Sequence, residues 1–206
     1  MISVLVANPK GGCGKTTIAT NLASAFANAG FKTALADGDR QRSALSWLKR
    51  RPGQAAPITG LDWRKSIGKV PDGTERLVID SGAGLRSQRF REFIAMAEMT
   101  VMPVLPSRFD HDATRRFLRR IEDLKPIRKG KKPVSLIANR LRVASRAESE
   151  LEAFAESLGY DLAARLRDLA VYADVAGRGL GIFDLSPARR ASAVGDWISL
   201  IRLIED

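Results

Sequence analysis

The sequence is poor in cysteine, in histidine and in long apolar runs, on which disulfide-bonded, metal-binding and membrane-spanning proteins depend. Its 206 residues include one cysteine, one histidine and no apolar run of membrane-spanning length. A lone cysteine excludes an internal disulfide framework, and a lone histidine leaves little for a histidine-based metal site. A bilayer-spanning helix needs about 20 apolar residues. Because an apolar strand pattern begins at Ile2, we expect no secretory signal and place the protein in the reducing cytoplasm.

Acidic residues are scarce relative to basic ones. The 34 Lys and Arg against 23 Asp and Glu give a net charge of +11 at pH 7, and the isoelectric point lies near 10.4. Such a field attracts nucleic acid or an anionic membrane; the alternative is a basic solvated surface without a specific polyanion. With 45% hydrophobic and 28% charged residues, the chain is expected to form one globular domain over residues 1–206.

A glycine-rich stretch at residues 8–17, Asn-Pro-Lys-Gly-Gly-Cys-Gly-Lys-Thr-Thr, carries the clearest chemistry. It follows the apolar run 2–6 and precedes a segment with helical apolar spacing. A strand that feeds a glycine-rich turn and a helix is the phosphate-binding arrangement, since the glycines let backbone N–H groups curl around an anion. Lys15 can then reach the β- and γ-phosphates, and the Thr16 hydroxyl can ligate Mg²⁺.

Two departures from the common phosphate-loop pattern narrow the interpretation. Pro9 stands where that pattern has a glycine, and a second lysine, Lys10, directly precedes the glycines. This resembles the deviant Walker A motif of the ParA/MinD family of dimerising ATPases. The resemblance implies ATP and Mg²⁺ as cofactors, with the extra lysine reaching the phosphates of the other subunit in an ATP-dependent homodimer. The implied ATP-binding residues are Lys10, Gly11, Gly12, Cys13, Gly14, Lys15, Thr16, Thr17 and Asn139, the last reading the adenine edge.

Two acidic strand ends resemble further motifs of this family. Residues 37–41, Asp-Gly-Asp-Arg-Gln, resemble its Asp-x-Asp-Pro-Gln switch I loop, with Arg40 in place of the proline. Residues 76–80 resemble a Walker B strand, followed by Ser-Gly-Ala-Gly at residues 81–84 as a switch II loop. The alternative for Asp37 and Asp39 is a capped turn before a helix. The resemblance implies catalytic roles for Lys10, Lys15 and Asp39 and a Mg²⁺ site at Thr16, Asp39 and Asp80.

A predicted helix over residues 110–125 carries a basic face. Apolar side chains recur at helical spacing on one side, while Arg115, Arg116, Arg119 and Arg120 share the opposite arc. A run of charge is often only a solvated face, but four neighbouring arginines with few acids repel one another, and a polyanion relieves this. The pattern therefore favours polyanion binding, and the resemblance implies that the polyanion is DNA. The predicted DNA surface consists of Arg115, Arg116, Arg119, Arg120, Lys129, Lys131, Lys132 and Arg142.

The whole chain reads as alternating strands and helices. This predicts an α/β fold, a mainly parallel twisted sheet with helices on both faces, and the resemblance makes it a ParA/MinD-like P-loop NTPase. Residues 180–185 are expected to be a final strand-like segment, before a terminal helix capped by Ser186 with Pro187 at its first position. With no room for a helix-turn-helix before Ile2, we expect no sequence-specific operator binding.

The resemblance is closest to short ParA-type partition proteins without an N-terminal DNA-binding domain. It implies an ATPase that hydrolyses ATP to ADP and phosphate weakly until a ParB-like or adaptor partner stimulates it. The dimer would bind nucleoid DNA non-specifically and release it on hydrolysis, positioning a plasmid, chromosome or other cargo in the cytoplasm. One alternative is a MinD-like membrane-associated ATPase, although the terminal Glu205 and Asp206 suit an anionic bilayer poorly. The other is a nucleotide-dependent regulatory binding module.

Overall fold

A parallel sheet forms the centre of the computed structural model, which describes residues 1–83, 87–142 and 145–206. The strand order is β3-β2-β4-β1-β5-β6-β7, and every neighbouring pair is parallel. The strands are β1 Ile2–Val6, β2 Thr33–Asp37, β3 Ile58–Asp62, β4 Arg76–Asp80, β5 Met99–Val104, β6 Val134–Leu141 and β7 Leu162–Arg167.

Helices connect these strands and cover the sheet on both faces. In the described residues they are α1 Lys15–Asn28, α2 Ser43–Arg50, α3 Ser87–Met96, α4 Arg108–Glu122, α5 Lys125–Arg128, α6 Arg146–Glu156, α7 Val171–Gly177, α8 Pro187–Val194 and α9 Ile198–Glu205. The predicted α/β class is confirmed. Within these same stretches of chain, no helix combines the length and apolar character needed to cross a bilayer.

The alternation of side chains along the strands divides the core into two layers. On β1, Val4 and Val6 pack with α1 and the C-terminal helices, whereas Leu5 packs with α3, α4 and α6 on the other face. Successive side chains of a strand point to opposite faces, so a strand buried on both sides has to be apolar throughout. Trp47 and Trp63 are buried in opposite layers.

The C-terminal quarter differs from the sequence expectation in two places. Residues 180–185 contain no strand; a 3-10 turn at Ile182–Asp184 lies there instead, held by the Asp184 carboxylate that accepts from the Gly181 N–H at 2.8 Å. The terminal helix is divided into α8 and α9 by a second 3-10 turn. Ser186 does precede α8, but its side chain makes no capping hydrogen bond.

The predicted long basic helix is also divided. Helix α4 begins at Arg108, two residues earlier than expected, and ends at Glu122, while α5 starts after a break at Leu124. Pro126 lies in the first turn of α5, where its missing N–H has no intrahelical partner to lose. A proline in a continuing helix would break the hydrogen-bond ladder, so the chain starts a new turn there.

The carboxyl ends of three adjacent strands, β2, β4 and β1, bring the candidate site together. In the strand register Val6 pairs with Asp80, and Asp80 pairs with Asp37. The phosphate loop therefore leaves β1 directly beside the two acidic strand ends. Open parallel sheets place ligands at this edge, where adjacent connections diverge.

Candidate nucleotide-binding site

The loop between β1 and α1 has the backbone that its glycines predict. Gly12 and Gly14 have φ angles of 78° and 96°, in the left-handed region that glycine adopts without steric cost. A Cβ on Gly14 would lie 2.2 Å from the Asn139 amide nitrogen. That nitrogen donates to the Cys13 carbonyl at 2.8 Å. The structure thus brings Asn139 to the loop; its contact with adenine stays a prediction.

Asn8 fixes the start of the loop, a role that the sequence analysis missed. The Asn8 amide nitrogen donates to the Pro103 carbonyl on β5 at 2.7 Å, and its amide oxygen accepts from the Lys10 N–H at 2.8 Å. The buried side chain therefore ties the loop to the neighbouring strand. An asparagine is a common turn residue, so no sequence signal distinguished this one.

Lys15 lies inside the loop. Its side chain is buried, and its ammonium donates to the Lys10 carbonyl at 2.6 Å and approaches the Cys13 sulfur at 3.7 Å. Burial raises the pKa of the Cys13 thiol, although the nearby Lys15 charge opposes the shift. Cys13 is therefore a small neutral side chain packed under the loop, and Lys15 supplies the positive charge there.

Thr16 and Asp80 form the part of the site suited to a metal ion. The Thr16 hydroxyl donates to the Asp80 carboxylate at 2.6 Å, and Asp80 is fully buried. Burial raises the pKa of Asp80 to about 6, while the Thr16 hydrogen bond and Lys15 oppose the shift. A hydroxyl beside a carboxylate at the end of a phosphate loop fits Mg²⁺, which prefers hard oxygen ligands and takes few of them from the protein.

The backbone of Asp39 lies next to Gly82, two residues after Asp80. A Cβ on Gly82 would lie 2.7 Å from the Asp39 Cα, so the loop after β2 and the residues after β4 pack directly against each other. The Asp39 carboxylate accepts from the Gln41 N–H at 3.0 Å. Its catalytic and metal roles stay predictions. Gly84, the last residue of the predicted switch II loop, lies outside the described residues.

Asp37 has the capping role that the sequence analysis gave as the alternative. Its fully buried carboxylate accepts from the Asp39 N–H at 2.8 Å and from the Leu45 N–H, in the first turn of α2, at 2.9 Å. Burial raises the pKa of Asp37, whereas these backbone hydrogen bonds lower it. The side chain therefore fixes both the shape of the loop and the start of α2.

Lys10 pairs with an acid on α4. Its ammonium lies 2.8 Å from the carboxylate of Asp110, and the two side chains are 39% and 5% exposed. The other oxygen of Asp110, Oδ1, has no hydrogen-bond partner among the described residues. The ion pair links the phosphate loop to the first turn of the basic helix. One lysine of the loop is thus buried and the other lies at the surface.

A family comparison agrees with this geometry. The profile of the CobQ/CobB/MinD/ParA nucleotide binding domain, CbiA, matches residues 4–180. The chain belongs to this family. As a member of it, the chain carries a nucleotide-binding domain whose phosphate loop is the stretch described above. The predicted ParA/MinD relationship is confirmed.

One of the relatives is similar in sequence over most of the chain. The maintenance of carboxysome distribution protein A of Halothiobacillus neapolitanus is 26% identical over 198 residues, which cover 93% of this chain and 91% of that protein. Two solved structures share the fold. MinD of Pyrococcus horikoshii complexed with Mg-ADP has a TM-score of 0.71 and 19% identity, and the match covers 100% of this chain and 96% of that one. The ATP complex of a Cyanothece McdA variant has a TM-score of 0.69 and 16% identity, and the match covers 97% of this chain and 96% of that one.

In this ParA/MinD-type chain the predicted basic surface is exposed. Arg115, Arg116, Arg119 and Arg120 all face solvent on α4, and none forms an ion pair with another residue that the structure describes. The Arg115 guanidinium lies 5.6 Å from the centre of the Phe154 ring. Lys129, Lys131 and Arg142 are exposed as well.

Lys132 differs from the rest of the predicted DNA surface. Its side chain is half-buried, and its ammonium donates to the Ala95 carbonyl at 2.8 Å and also to the Ala97 carbonyl. These carbonyls lie at the C-terminal end of α3, where a cation is favoured by the helix dipole. Lys132 therefore caps α3 and does not belong to the exposed basic surface, contrary to the prediction.

Proposed function

We propose that this protein is a ParA-type ATPase that positions a large intracellular cargo by ATP-dependent dimerisation and DNA binding. The observation that carries the proposal is the arrangement of two lysines on one phosphate loop, Lys15 buried under it and Lys10 at its surface. The first can serve the nucleotide of its own chain. The second, which is 39% exposed and pairs with Asp110, is proposed to exchange this partner for a nucleotide held by another chain.

ATP is the proposed substrate, bound through the N–H groups of the loop and the Lys15 ammonium. Mg²⁺, when bound at Thr16 and Asp80, would offset the charge of the β- and γ-phosphates. Asp39 is proposed to orient the attacking water, because its loop packs against Gly82 beside Asp80. Asn139, already fixed to the loop at Cys13, is proposed to contact the adenine. Turnover is proposed to be slow until a partner protein stimulates it.

DNA is the proposed output partner. The exposed arginines of α4, with Lys129, Lys131 and Arg142, present cations that no described acid neutralises. Contacts of this type bind phosphates without reading sequence. A dimer presents two such surfaces, and affinity grows with the number of phosphates neutralised. Hydrolysis would dissolve the dimer and release the DNA, so the cytoplasmic protein would cycle on and off the nucleoid.

The cargo is proposed to be a large body such as a plasmid, a chromosome or a protein assembly. The relative from Halothiobacillus neapolitanus, which covers 93% of the chain, is named for carboxysome distribution, and this favours the last of the three. An adaptor or ParB-like protein on the cargo is the proposed stimulating partner.

The MinD-like membrane alternative has less support from the described residues. Leu200 and Ile204 of α9 lie in the core, whereas Ile198 and Leu203 of the same helix are 46% and 43% exposed. An interfacial helix binds a bilayer with its apolar face. Here the fold occupies Leu200 and Ile204, so only part of the apolar surface of α9 is left for a membrane.

Nucleotide-dependent DNA binding tests the proposal. Fluorescence anisotropy of a labelled random-sequence duplex is measured with Mg-ATP, with Mg-ADP and without nucleotide. We expect at least ~10-fold tighter binding with ATP, because the dimer doubles the phosphate contacts. Lys15→Ala, which removes the buried ammonium, should show no ATP effect. Equal affinity in all three states would overturn the proposal and favour the regulatory module, whereas ATP-dependent binding to anionic vesicles alone would favour the MinD-like alternative.

A further inference from the structure

A cleft of about 540 Å³ lies between α3 and α4. Its walls include Phe90 and Arg91 of α3 and Phe117, Arg120 and Ile121 of α4, and we call it the helix cleft. Among the residues that the structure describes, none of those proposed to hold ATP and Mg²⁺ lines it. Small-ligand sites typically have volumes of about 300–1,000 Å³. The helix cleft is therefore a second cavity of ligand-binding size, lined by other residues than the nucleotide site.

The walls of the helix cleft are largely apolar. Phe90 is buried, and its ring centre lies 4.9 Å from that of the half-buried Phe117. Ile121 is buried as well, and Leu124, which follows α4, continues the apolar lining. An apolar body that enters such a cleft is removed from water together with these side chains, which favours binding.

Two arginines give the helix cleft a positive charge. Arg91 and Arg120 are exposed, and neither forms an ion pair with a residue that the structure describes. Asp123 is the one acid among the lining residues, so the lining is positive on balance. A guanidinium binds a carboxylate, sulfonate or phosphate through paired, charge-assisted hydrogen bonds. The cleft thus combines an apolar wall with groups that bind an anion.

The helix cleft also reaches the loops of the nucleotide site. Its lining includes Pro9 of the phosphate loop and Gly82, two residues after the end of β4. A Cβ on Gly82 would lie 2.7 Å from the Asp39 Cα, so these two backbones are in contact. A ligand that touches Gly82 from the cleft therefore touches a residue packed against the loop that carries Asp39.

We propose that the helix cleft is a regulatory site for an organic anion with an apolar body, whose charged group binds Arg91 and Arg120. The occupant restricts the position of Gly82 and hence of the Asp39 loop, so that ligand and nucleotide alter each other's affinity. Such coupling is reciprocal. The regulatory part rests on the proposed binding and hydrolysis of ATP beside Asp39, whereas binding of the anion by the cleft does not.

Binding of 8-anilinonaphthalene-1-sulfonate to the full chain tests the site, because this probe is an aromatic anion that fluoresces strongly in apolar surroundings. We expect saturable binding. Arg91→Gln should weaken it by at least ~10-fold, since a charge-assisted contact is lost. Leu124→Trp, which fills the cleft, should abolish it. The matched control is Arg128→Gln, an exposed arginine of α5 that does not line the cleft.

Two outcomes would overturn the site itself. Equal binding of the probe by the unmodified protein, Arg91→Gln and Leu124→Trp would place the probe elsewhere on the molecule. Displacement of the probe by sulfate at the probe's own concentration would show that the anion needs no apolar body, because sulfate has none.

Probe titrations without nucleotide, with Mg-ADP and with Mg-ATP test the regulatory role. We expect the Kd of the probe to change by about 5-fold or more between nucleotide states. Calorimetry measures nucleotide binding separately. Equal Kd values with nucleotide bound would overturn the regulatory role alone. An unmodified protein that binds the probe but no nucleotide would overturn the proposed function and the regulatory role together, and would still confirm the site.

Discussion

At the scale of single residues, Asp80 combines a functional position with an unfavourable environment. The carboxylate is fully buried at the end of β4 and its pKa is raised to about 6, chiefly by loss of solvent. Buried charge is costly unless it is compensated, and the Thr16 hydroxyl with the nearby Lys15 compensates it in part. The residue that fits the metal is therefore also one that destabilises the fold while ionised.

Asp80→Asn should stabilise the protein at neutral pH. Because the folded-state pKa is above the unfolded value of 3.8, the native state holds this proton more tightly and loses stability as pH rises from about 4 to about 6. Asn removes that loss, a gain of roughly 2–3 kcal/mol in the free energy of unfolding at pH 7.5. Urea denaturation at pH 7.5 and pH 4 measures it.

The gain should shrink to less than about 1 kcal/mol at pH 4, where Asp80 is protonated in the folded state and partly protonated in the unfolded state. Equal stability of the two proteins at pH 7.5 would contradict the buried-charge account. The same variant should lose magnesium-dependent nucleotide binding, since an amide is a weaker ligand for a hard cation than a carboxylate.

Lys10 offers a second prediction at this scale. Lys10→Ala removes the partner of a buried carboxylate, so the free energy of unfolding should fall by about 1–2 kcal/mol, less than for a fully buried pair because Lys10 is 39% exposed. Binding of ATP by the monomer should persist, whereas the ATP-dependent dimer should be lost. Urea denaturation and light scattering measure the two effects.

The partner variant separates the two roles of Lys10. Adding Asp110→Asn to Lys10→Ala should restore most of the lost stability, because no unpaired charge then remains, but it should not restore the dimer. A double variant as unstable as Lys10→Ala would show that the ion pair with Asp110 is not the source of the loss.

At the scale of elements, α4 connects the candidate site to the candidate DNA surface. Its first turn holds Asp110, which pairs with the phosphate loop, and the following turns present the exposed arginines. Its apolar side, with Leu118 and Ile121, lies in the core layer shared with α3 and α6. The ion pair therefore joins the phosphate loop to a helix that packs against the core on one side and is charged on the other.

Charge reversal on this helix tests the basic surface. Arg116→Glu with Arg120→Glu should weaken DNA binding in Mg-ATP by about 10- to 100-fold at low salt and to the same degree for unrelated sequences. The control is Arg189→Glu with Arg202→Glu, an identical change of charge at exposed positions of α8 and α9. Anisotropy titrations compare the pairs. Equal losses for both would attribute DNA binding to net charge and not to α4.

At the scale of the whole molecule, the basic residues behind the net charge of +11 differ in whether they form ion pairs. Several arginines form ion pairs within the fold. A guanidinium nitrogen of Arg51 lies 2.7 Å from a carboxylate oxygen of Asp184, and one of Arg76 lies 2.6 Å from a carboxylate oxygen of Glu205. The arginines of α4 form none with any residue that the structure describes. Four unpaired arginines within two turns of one helix give this surface a locally high density of positive charge, although exposed arginines such as Arg189 and Arg202 lie elsewhere.

Salt dependence measures how many of these cations meet phosphates. The logarithm of the DNA association constant falls with the logarithm of salt concentration at roughly −0.9 per phosphate contact. If each subunit contributes the four arginines of α4, the slope in Mg-ATP should be about −7, and in Mg-ADP about −4. Identical slopes in the two nucleotide states would contradict a DNA-bound dimer.

Much of this organisation is local, and the sequence by itself determined it. The left-handed glycines, the apolar strand before them and the arginine arc depend on residues within one turn or one helix, where spacing fixes geometry. A local pattern was also the source of the wrong strand prediction. Residues 180–185 have a strand-like composition, but the Asp184 carboxylate and its ion pair with the distant Arg51 hold them in a 3-10 turn.

Tertiary structure alone decided which side chains meet. Lys10 and Asp110 are 100 residues apart, Thr16 and Asp80 are 64 apart, and Asn139 lies 126 residues from the Cys13 carbonyl that it contacts. No periodic pattern encodes such pairs, because they follow from the order of strands in the sheet and from the packing of helices on it. The sequence determined that a phosphate loop exists; the fold decided that one of its lysines is buried and the other pairs with the basic helix.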